Sequence, residues 1–193
     1  NLKEIIKLQI EEPLEEIFLS KNIKKIGSIN NKISKKVKSQ YEENPYPRWK
    51  YTEDYKELKY SAINAINSEI KPNIVQSNLT SKKVKVLIAG CGTGAQIICA
   101  TRYKNSEITA IDLSSSSLSY AQRQLNELEI SNVNLIQMDL LEVDLLEKQF
   151  DIIECCGVLH HIEDPMKGLK SLINVLNING YMRLSLYNKL ARQ

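Results

Sequence analysis

Gly90, Gly92 and Gly94 stand at alternate positions directly after the apolar run Val84-Lys85-Val86-Leu87-Ile88-Ala89, and Asp112 follows the next such run, at 107–111. Glycines where a strand turns into a helix let a ligand press on bare backbone, which a side chain would prevent. An aspartate at the end of the neighbouring strand can accept hydrogen bonds from both hydroxyls of a ribose. Together they describe a crevice for an adenosine-containing cofactor. Gly90, Gly92 and Ala95 satisfy the dinucleotide pattern G-x-G-x-x-A, so the loop alone leaves the kind of cofactor open.

The elements that must position these residues alternate from Val84 onward between strand and helix. Their short, continuous apolar strands suit a parallel sheet buried on both faces. Five strands are expected, at 84–89, 107–111, 133–138, 150–156 and 181–187. Ser114 is placed to cap a helix that turns Leu118, Ala121, Leu125 and Leu128 to the sheet. Asp164-Pro165 supplies a cap and first-turn proline for the next helix, which Asn179-Gly180 is expected to close. Upstream, residues 1–40 carry apolar positions at helical spacing, with Pro13 as a first-turn residue. A further helix is expected from Asp54 to Ile70, with Leu58, Ala62, Ile63, Ile66 and Ile70 on one stripe, ended by Pro72.

The stretch Phe150 to Pro165, with Cys155-Cys156-Gly157-Val158-Leu159-His160-His161 at its centre, separates the cofactor readings. It resembles the fourth strand and following loop of class I S-adenosylmethionine-dependent methyltransferases, and Ala89-Gly90-Cys91-Gly92-Thr93-Gly94 resembles that family's first motif. The segment Gln40-Tyr41-Glu42-Glu43-Asn44-Pro45-Tyr46-Pro47-Arg48-Trp49, preceded by Glu12-Pro13-Leu14-Glu15-Glu16, resembles a bacterial subfamily often fused to tetratricopeptide repeats. Asn44-Pro45-Tyr46 invites comparison with the N-P-P-Y motif of nucleic-acid amino methyltransferases. That motif follows the fourth strand, whereas this segment precedes the first, so the comparison fails.

The resemblance implies a Rossmann-like α/β fold with five parallel strands in the order 3-2-1-4-5 and a helical N-terminal extension. Residues 1–80 would form the extension, with a lid at 40–49, and residues 81–193 the cofactor domain. The family's sixth and seventh strands have no counterpart before Gln193, so the fifth strand is expected to be covered by a second copy, a companion segment or the N-terminal helices. The implied cofactor is S-adenosylmethionine, released as S-adenosylhomocysteine. It would be held by Gly90, Cys91, Gly92, Thr93, Gly94, Asp112, Leu113, Asp139, Leu140 and Cys156, with Tyr41 and Arg48 from the lid. Asp139 would meet the adenine amino group, and Arg48 or a tyrosine of the lid the methionine carboxylate or an acidic substrate. His160 or His161 would act as general base, and Tyr46, Trp49 and Tyr187 would face the acceptor, a small molecule or a protein side chain. The competing readings are a domain that binds without turnover and, less well supported, a nicotinamide-dependent dehydrogenase.

Composition narrows the setting. The chain has 193 residues, 42% of them hydrophobic, and a net charge of +3, which gives no basic track for nucleic acid. The lysines from Lys21 to Lys38 lack interleaved aromatics and suit a solvated helical face. Cys91, Cys99, Cys155 and Cys156 form no C-x-x-C pair and only two histidines accompany them, so no metal is expected. Reduced thiols, no apolar run of about 18 residues and no signal peptide suit a cytoplasmic protein without a membrane span.

Overall fold

The computed structural model describes residues 2–50, 59–76 and 83–187. Strand β1 (Lys24–Lys25) precedes β2 (Val84–Ala89), β3 (Ser106–Asp112), β4 (Val133–Gln137), β5 (Phe150–Cys156) and β6 (Leu176–Ser185). All six are parallel, in the order β1-β4-β3-β2-β5-β6. The five expected strands therefore occupy their expected order.

β2 is central because its residues are apolar on both sides. Val84, Val86 and Ile88 enter one core with α4 (Ala62–Glu69), α5 (Ala95–Ala100) and α6 (Ser115–Glu127). Leu87 and Ala89 enter the other, with Leu172 of α7 (Pro165–Asn174) and Val143 of a 3₁₀ segment, Leu140–Leu146. Removing such apolar area from water stabilises by about 25 cal/mol per Å². Ser114 caps α6 by accepting from the Ser117 N–H, and Asp164 caps α7 by accepting from the Met166 and Lys167 N–H groups.

Two expectations need correction. A sixth strand, β1, pairs Lys24 with Ile136 and Lys25 with Gln137. Two lysines carry no apolar alternation, so nothing in their pattern announces a strand. The helix expected to run to Asn179-Gly180 ends at Asn174, and β6 already begins at Leu176. Asn179, at φ 64°, lies inside β6, which shifts register against β5 between Phe150 and Ile152. A Cβ on Gly180 would meet the Asp151 carbonyl at 3.0 Å, so this glycine serves a close strand approach. β1 and β6 form the two edges of the sheet. The Asp54 to Leu58 part of the expected 54–70 helix lies outside the described residues; of the remainder α4 covers Ala62–Glu69, capped by Ser61, while Tyr60 instead forms a β-bridge with Tyr103.

The N-terminal extension is a helical rod: α1 (Leu2–Ile6), a π-helical turn (Lys7–Glu11) and α2 (Glu12–Asn22), followed after β1 by α3 (Lys32–Glu43). α2 packs on α6 through ions. Arg123 of α6 is 1% exposed and meets Glu12 at 3.1 Å, Glu16 at 3.0 Å and Glu127 at 3.3 Å.

Candidate functional site

The four central strands end in one crevice of about 370 Å³, the size of a small-molecule site. Its floor is the loop after β2. The Gly90 and Cys91 N–H groups both donate to the Ile111 carbonyl, at 2.8 and 3.0 Å, which ties the loop to β3. Asp112, the last residue of β3, accepts from the Gly92 N–H at 2.8 Å through Oδ2 and from the Ser114 N–H at 2.9 Å through Oδ1. Burial raises its pKa, the two N–H donors oppose that, and nearby Glu42 adds to the rise. Each carboxylate oxygen retains a second lone pair for a ligand hydroxyl.

Gly92 and Gly94 serve different ends. Gly92 has φ 51°, and a Cβ there would find only the Tyr46 carbonyl, 3.8 Å away. Its bare backbone faces the open crevice. Gly94, at φ 93°, does not line the crevice, because a Cβ there would meet Ala121 Cβ of α6 at 2.9 Å. It allows close packing of the loop against α6 and stands outside the crevice lining. Asp139 lines the crevice and also accepts from the Leu141 N–H at 3.0 Å, capping the 3₁₀ segment.

The remaining wall comes from the extension. Asn31 caps α3 by accepting from the Ile33 and Ser34 N–H groups, and α3 then presents Ser34, Val37 and Tyr41 to the crevice. Burial raises the Tyr41 phenol pKa, with Asp112 and Tyr187 contributing. Glu42 anchors this wall. Its carboxylate accepts from the Ser115 N–H at 3.0 Å, the Ser116 N–H at 2.8 Å and the Ser115 hydroxyl, so a residue of α3 caps α6 in trans. Burial alone would raise its pKa, but these bonds outweigh burial and hold it below the ordinary carboxylate range.

Arg48 and Trp49 act in this anchorage and stay out of the crevice. The Arg48 guanidinium forks onto Glu16 at 3.0 and 2.9 Å and lies 4.6 Å over the Tyr120 ring. That bidentate match, together with the cation–π contact, outcompetes the solvated crevice for the cation. The Trp49 indole N–H donates to the Thr93 carbonyl at 3.0 Å, and the ring meets Tyr120 edge-on. The Thr93 hydroxyl donates to the Pro47 carbonyl, and the Tyr120 hydroxyl to that of Trp49. Tyr46 and Pro47 thereby reach the rim.

After β5 a 3₁₀ turn, Leu159–His161, carries the two histidines. Their Nε2 atoms lie 3.1 Å apart, and the His160 ring stacks 4.1 Å from the Tyr187 ring. His161 and Tyr187 line the crevice, whereas His160 does not. The structure thus brings together Gly90, Cys91, Gly92, Thr93, Asp112, Leu113, Asp139, Leu140, Cys156, Tyr41, Tyr46, His161 and Tyr187. Gly94, Arg48, Trp49 and His160 lie outside that lining. Sequence reasoning missed Ser34, Val37, Pro47, Gln96 and Glu42. Gln96 was one helical turn from the glycine loop and so open to discovery; it donates to the Cys156 carbonyl at 3.2 Å. Among the described residues no lysine or arginine lines the crevice, whose acids are Asp112 and Asp139.

Comparison with known proteins accords with this geometry. Residues 80–193 match a family profile described as "Methyltransferase domain". An uncharacterised protein of a Synechococcus species is 37% identical over 110 residues, covering 56% of this chain and 26% of that protein. The ubiquinone biosynthesis O-methyltransferase of Stutzerimonas stutzeri is 26% identical over 134 residues, covering 69% of this chain and 57% of its own length. The chain therefore spans between about a quarter and three fifths of these relatives. Among solved structures, PKMT2 from Rickettsia typhi superposes with a TM-score of 0.50 at 27% identity, over 69% of this chain and 26% of that one. The [4+2]-cyclase SpnF gives 0.57 at 17% identity, over 82% of this chain and 61% of that one, which speaks to the fold alone. Among the described residues no helix is long and apolar enough to cross a membrane.

Proposed function

The chain belongs to the methyltransferase domain family, and from that premise we propose that it binds S-adenosylmethionine in the crevice and methylates an acceptor entering past Tyr46, His161 and Tyr187. The observation that carries the reading is Asp112, held by the Gly92 and Ser114 N–H groups beside a glycine with open space where a Cβ would stand. In this reading Asp112 accepts the ribose hydroxyls and Gly92 bares its backbone to the ligand. Asp139 faces the adenine, and Tyr41 with α3 excludes water from the far side. The bound cofactor supplies a sulfonium methyl group as electrophile, and S-adenosylhomocysteine is released. The chain supplies no covalent intermediate; it positions and desolvates the acceptor.

Beyond the two aspartates assigned to the cofactor, the lining toward the acceptor is Tyr46, His161 and Tyr187, with no lysine or arginine among the described residues, which suits an uncharged acceptor. Relatives named as O-methyltransferases support an oxygen nucleophile. His161 accepts the acceptor's proton, and His160, within hydrogen-bond reach of its Nε2, holds the ring in place. The acceptor is an uncharged hydroxyl compound or protein side chain.

Two measurements test this. Calorimetric titration with S-adenosylhomocysteine should show one site per chain, and failure to bind would refute the reading. Transfer of labelled methyl to neutral phenols and alcohols should exceed transfer to their carboxylated analogues. His161→Gln should lower turnover by about a hundredfold or more while keeping cofactor affinity. Unchanged turnover would remove His161 from the chemistry.

A further inference from the structure

The rod from Leu2 to Asn22 is amphipathic the wrong way round for a monomer. A surface helix ordinarily buries its apolar stripe and shows its charges to water. Here the face turned to α6 is ionic, with Glu12 and Glu16 on the buried Arg123. The opposite face carries the apolar residues: Leu2 is 72% exposed, Ile10 53%, Leu14 60% and Phe18 66%, with Ile6 and Ile17 between them. Leu2, Ile6, Ile10 and Leu14 recur every fourth residue, and the π-helical turn at Lys7–Glu11 lies within this run. From Leu2 to Phe18 the stripe is about 24 Å long at 1.5 Å per residue. A contiguous apolar surface of this kind marks an interaction site.

The charges beside the stripe identify the occupant. One position further on, at the same four-residue step, stand Lys3, Lys7, Glu11 and Glu15, basic in the N-terminal half and acidic in the C-terminal half. Laid antiparallel against a second copy about Ile10, the stripe sets Ile6 opposite Leu14 and Leu2 opposite Phe18, while Lys3 approaches Glu15 and Lys7 approaches Glu11. A parallel pair would place the two charged flanks on opposite sides of the seam and leave these lysines and glutamates unmatched. The acidic flank also disfavours an anionic lipid surface, which selects basic helices. We propose that this face is the interface of an antiparallel homodimer, packed as a two-helix coiled coil. No residue from Leu2 to Asn22 lines the crevice, so the inference is independent of the methyltransferase reading.

The test is sedimentation velocity of the full chain across roughly 1 to 100 µM, where the expected species is a dimer in equilibrium with monomer. Ile10→Asp, at an exposed site, should keep the far-UV circular dichroism and raise the dimer dissociation constant by at least about a hundredfold, since both copies are altered and each tenfold is about 1.4 kcal/mol. Lys7 also meets Glu127 at 3.2 Å within its own protomer. Lys3→Glu and Glu15→Lys should each weaken self-association, and an equimolar mixture should associate more tightly than either alone. A monomer at every concentration, a dimer indifferent to Ile10→Asp, or a mixture no tighter than its components would overturn the proposal. So would a monomer that binds phosphatidylcholine–phosphatidylserine vesicles through Ile10.

Discussion

Glu42 is the residue through which the extension grips the cofactor crevice, so its removal should loosen the wall formed by α3. Its carboxylate accepts two N–H groups at the N-terminus of α6, at 3.0 and 2.8 Å, plus the Ser115 hydroxyl. A hydrogen bond to a charged acceptor contributes about 1.5–3 kcal/mol, and an anion at a helix N-terminus adds about 0.3–1 kcal/mol. Because the group is only partly buried, water recovers much of this on deletion, and Glu42→Gln should cost about 2 kcal/mol in all. For a domain of this size that is a fall of about 4–8 °C in Tm. Titration sharpens the test. The folded-state pKa lies below the ordinary glutamate value of 4.5, so the stabilisation is complete above that value and is lost as pH falls through the folded one. Thermal unfolding of the wild type and of Glu42→Gln should therefore differ fully at pH 7 and converge in acid. Equal stability at pH 7, or a gap that does not narrow as the pH is taken down from the ordinary glutamate value into acid, would refute the reasoning.

Three further perturbations probe separate parts of the account. Asp112→Asn should weaken S-adenosylhomocysteine binding by about 1.5–3 kcal/mol in calorimetry. Because burial raises the Asp112 pKa, wild-type affinity should begin to fall at a higher pH than an ordinary aspartate would dictate, and the variant should lack that fall. Gly94→Ala should destabilise by about 1–3 kcal/mol through the Ala121 contact and spare affinity per folded molecule, whereas Gly92→Ala should lose affinity with little packing penalty, both followed by calorimetric unfolding with and without ligand. Arg123→Met leaves Glu12 and Glu16 without their buried cation and should cost about 3–5 kcal/mol in urea unfolding, with the Trp49 environment changing because Arg48 then competes alone for Glu16.

The core of the site was legible in the sequence because its physics is local. A β-branched run, a glycine turn and an aspartate at the next strand end lie within 30 residues and force one geometry, and Ser114 and Asp164 announce their own helices. The extension was less legible because its side chains are satisfied at long range. Arg48 has the chemistry to bind a carboxylate, and it does bind one, but the partner is Glu16, which no spacing rule connects to it. Trp49 is aromatic and near the rim, yet its indole N–H is taken by the Thr93 carbonyl. Glu42 was hidden in an acidic pair whose two members look alike until α6 is placed beside one of them. Asn179-Gly180 reads equally as a helix stop or a strand irregularity, since both use positive φ, and only pairing with β5 distinguishes them. β1 carries no pattern at all; backbone pairing with β4 alone defines it.

The most direct test of the cofactor site is thermal unfolding of the purified chain with S-adenosylhomocysteine, beside Asp112→Ala and with NAD as control. At about 100 times its dissociation constant the ligand should stabilise the chain by about 2.7 kcal/mol. The account predicts that shift for the wild type, its loss in Asp112→Ala and no comparable shift with NAD. A folded wild type that S-adenosylhomocysteine fails to stabilise, or that NAD stabilises equally, would contradict it.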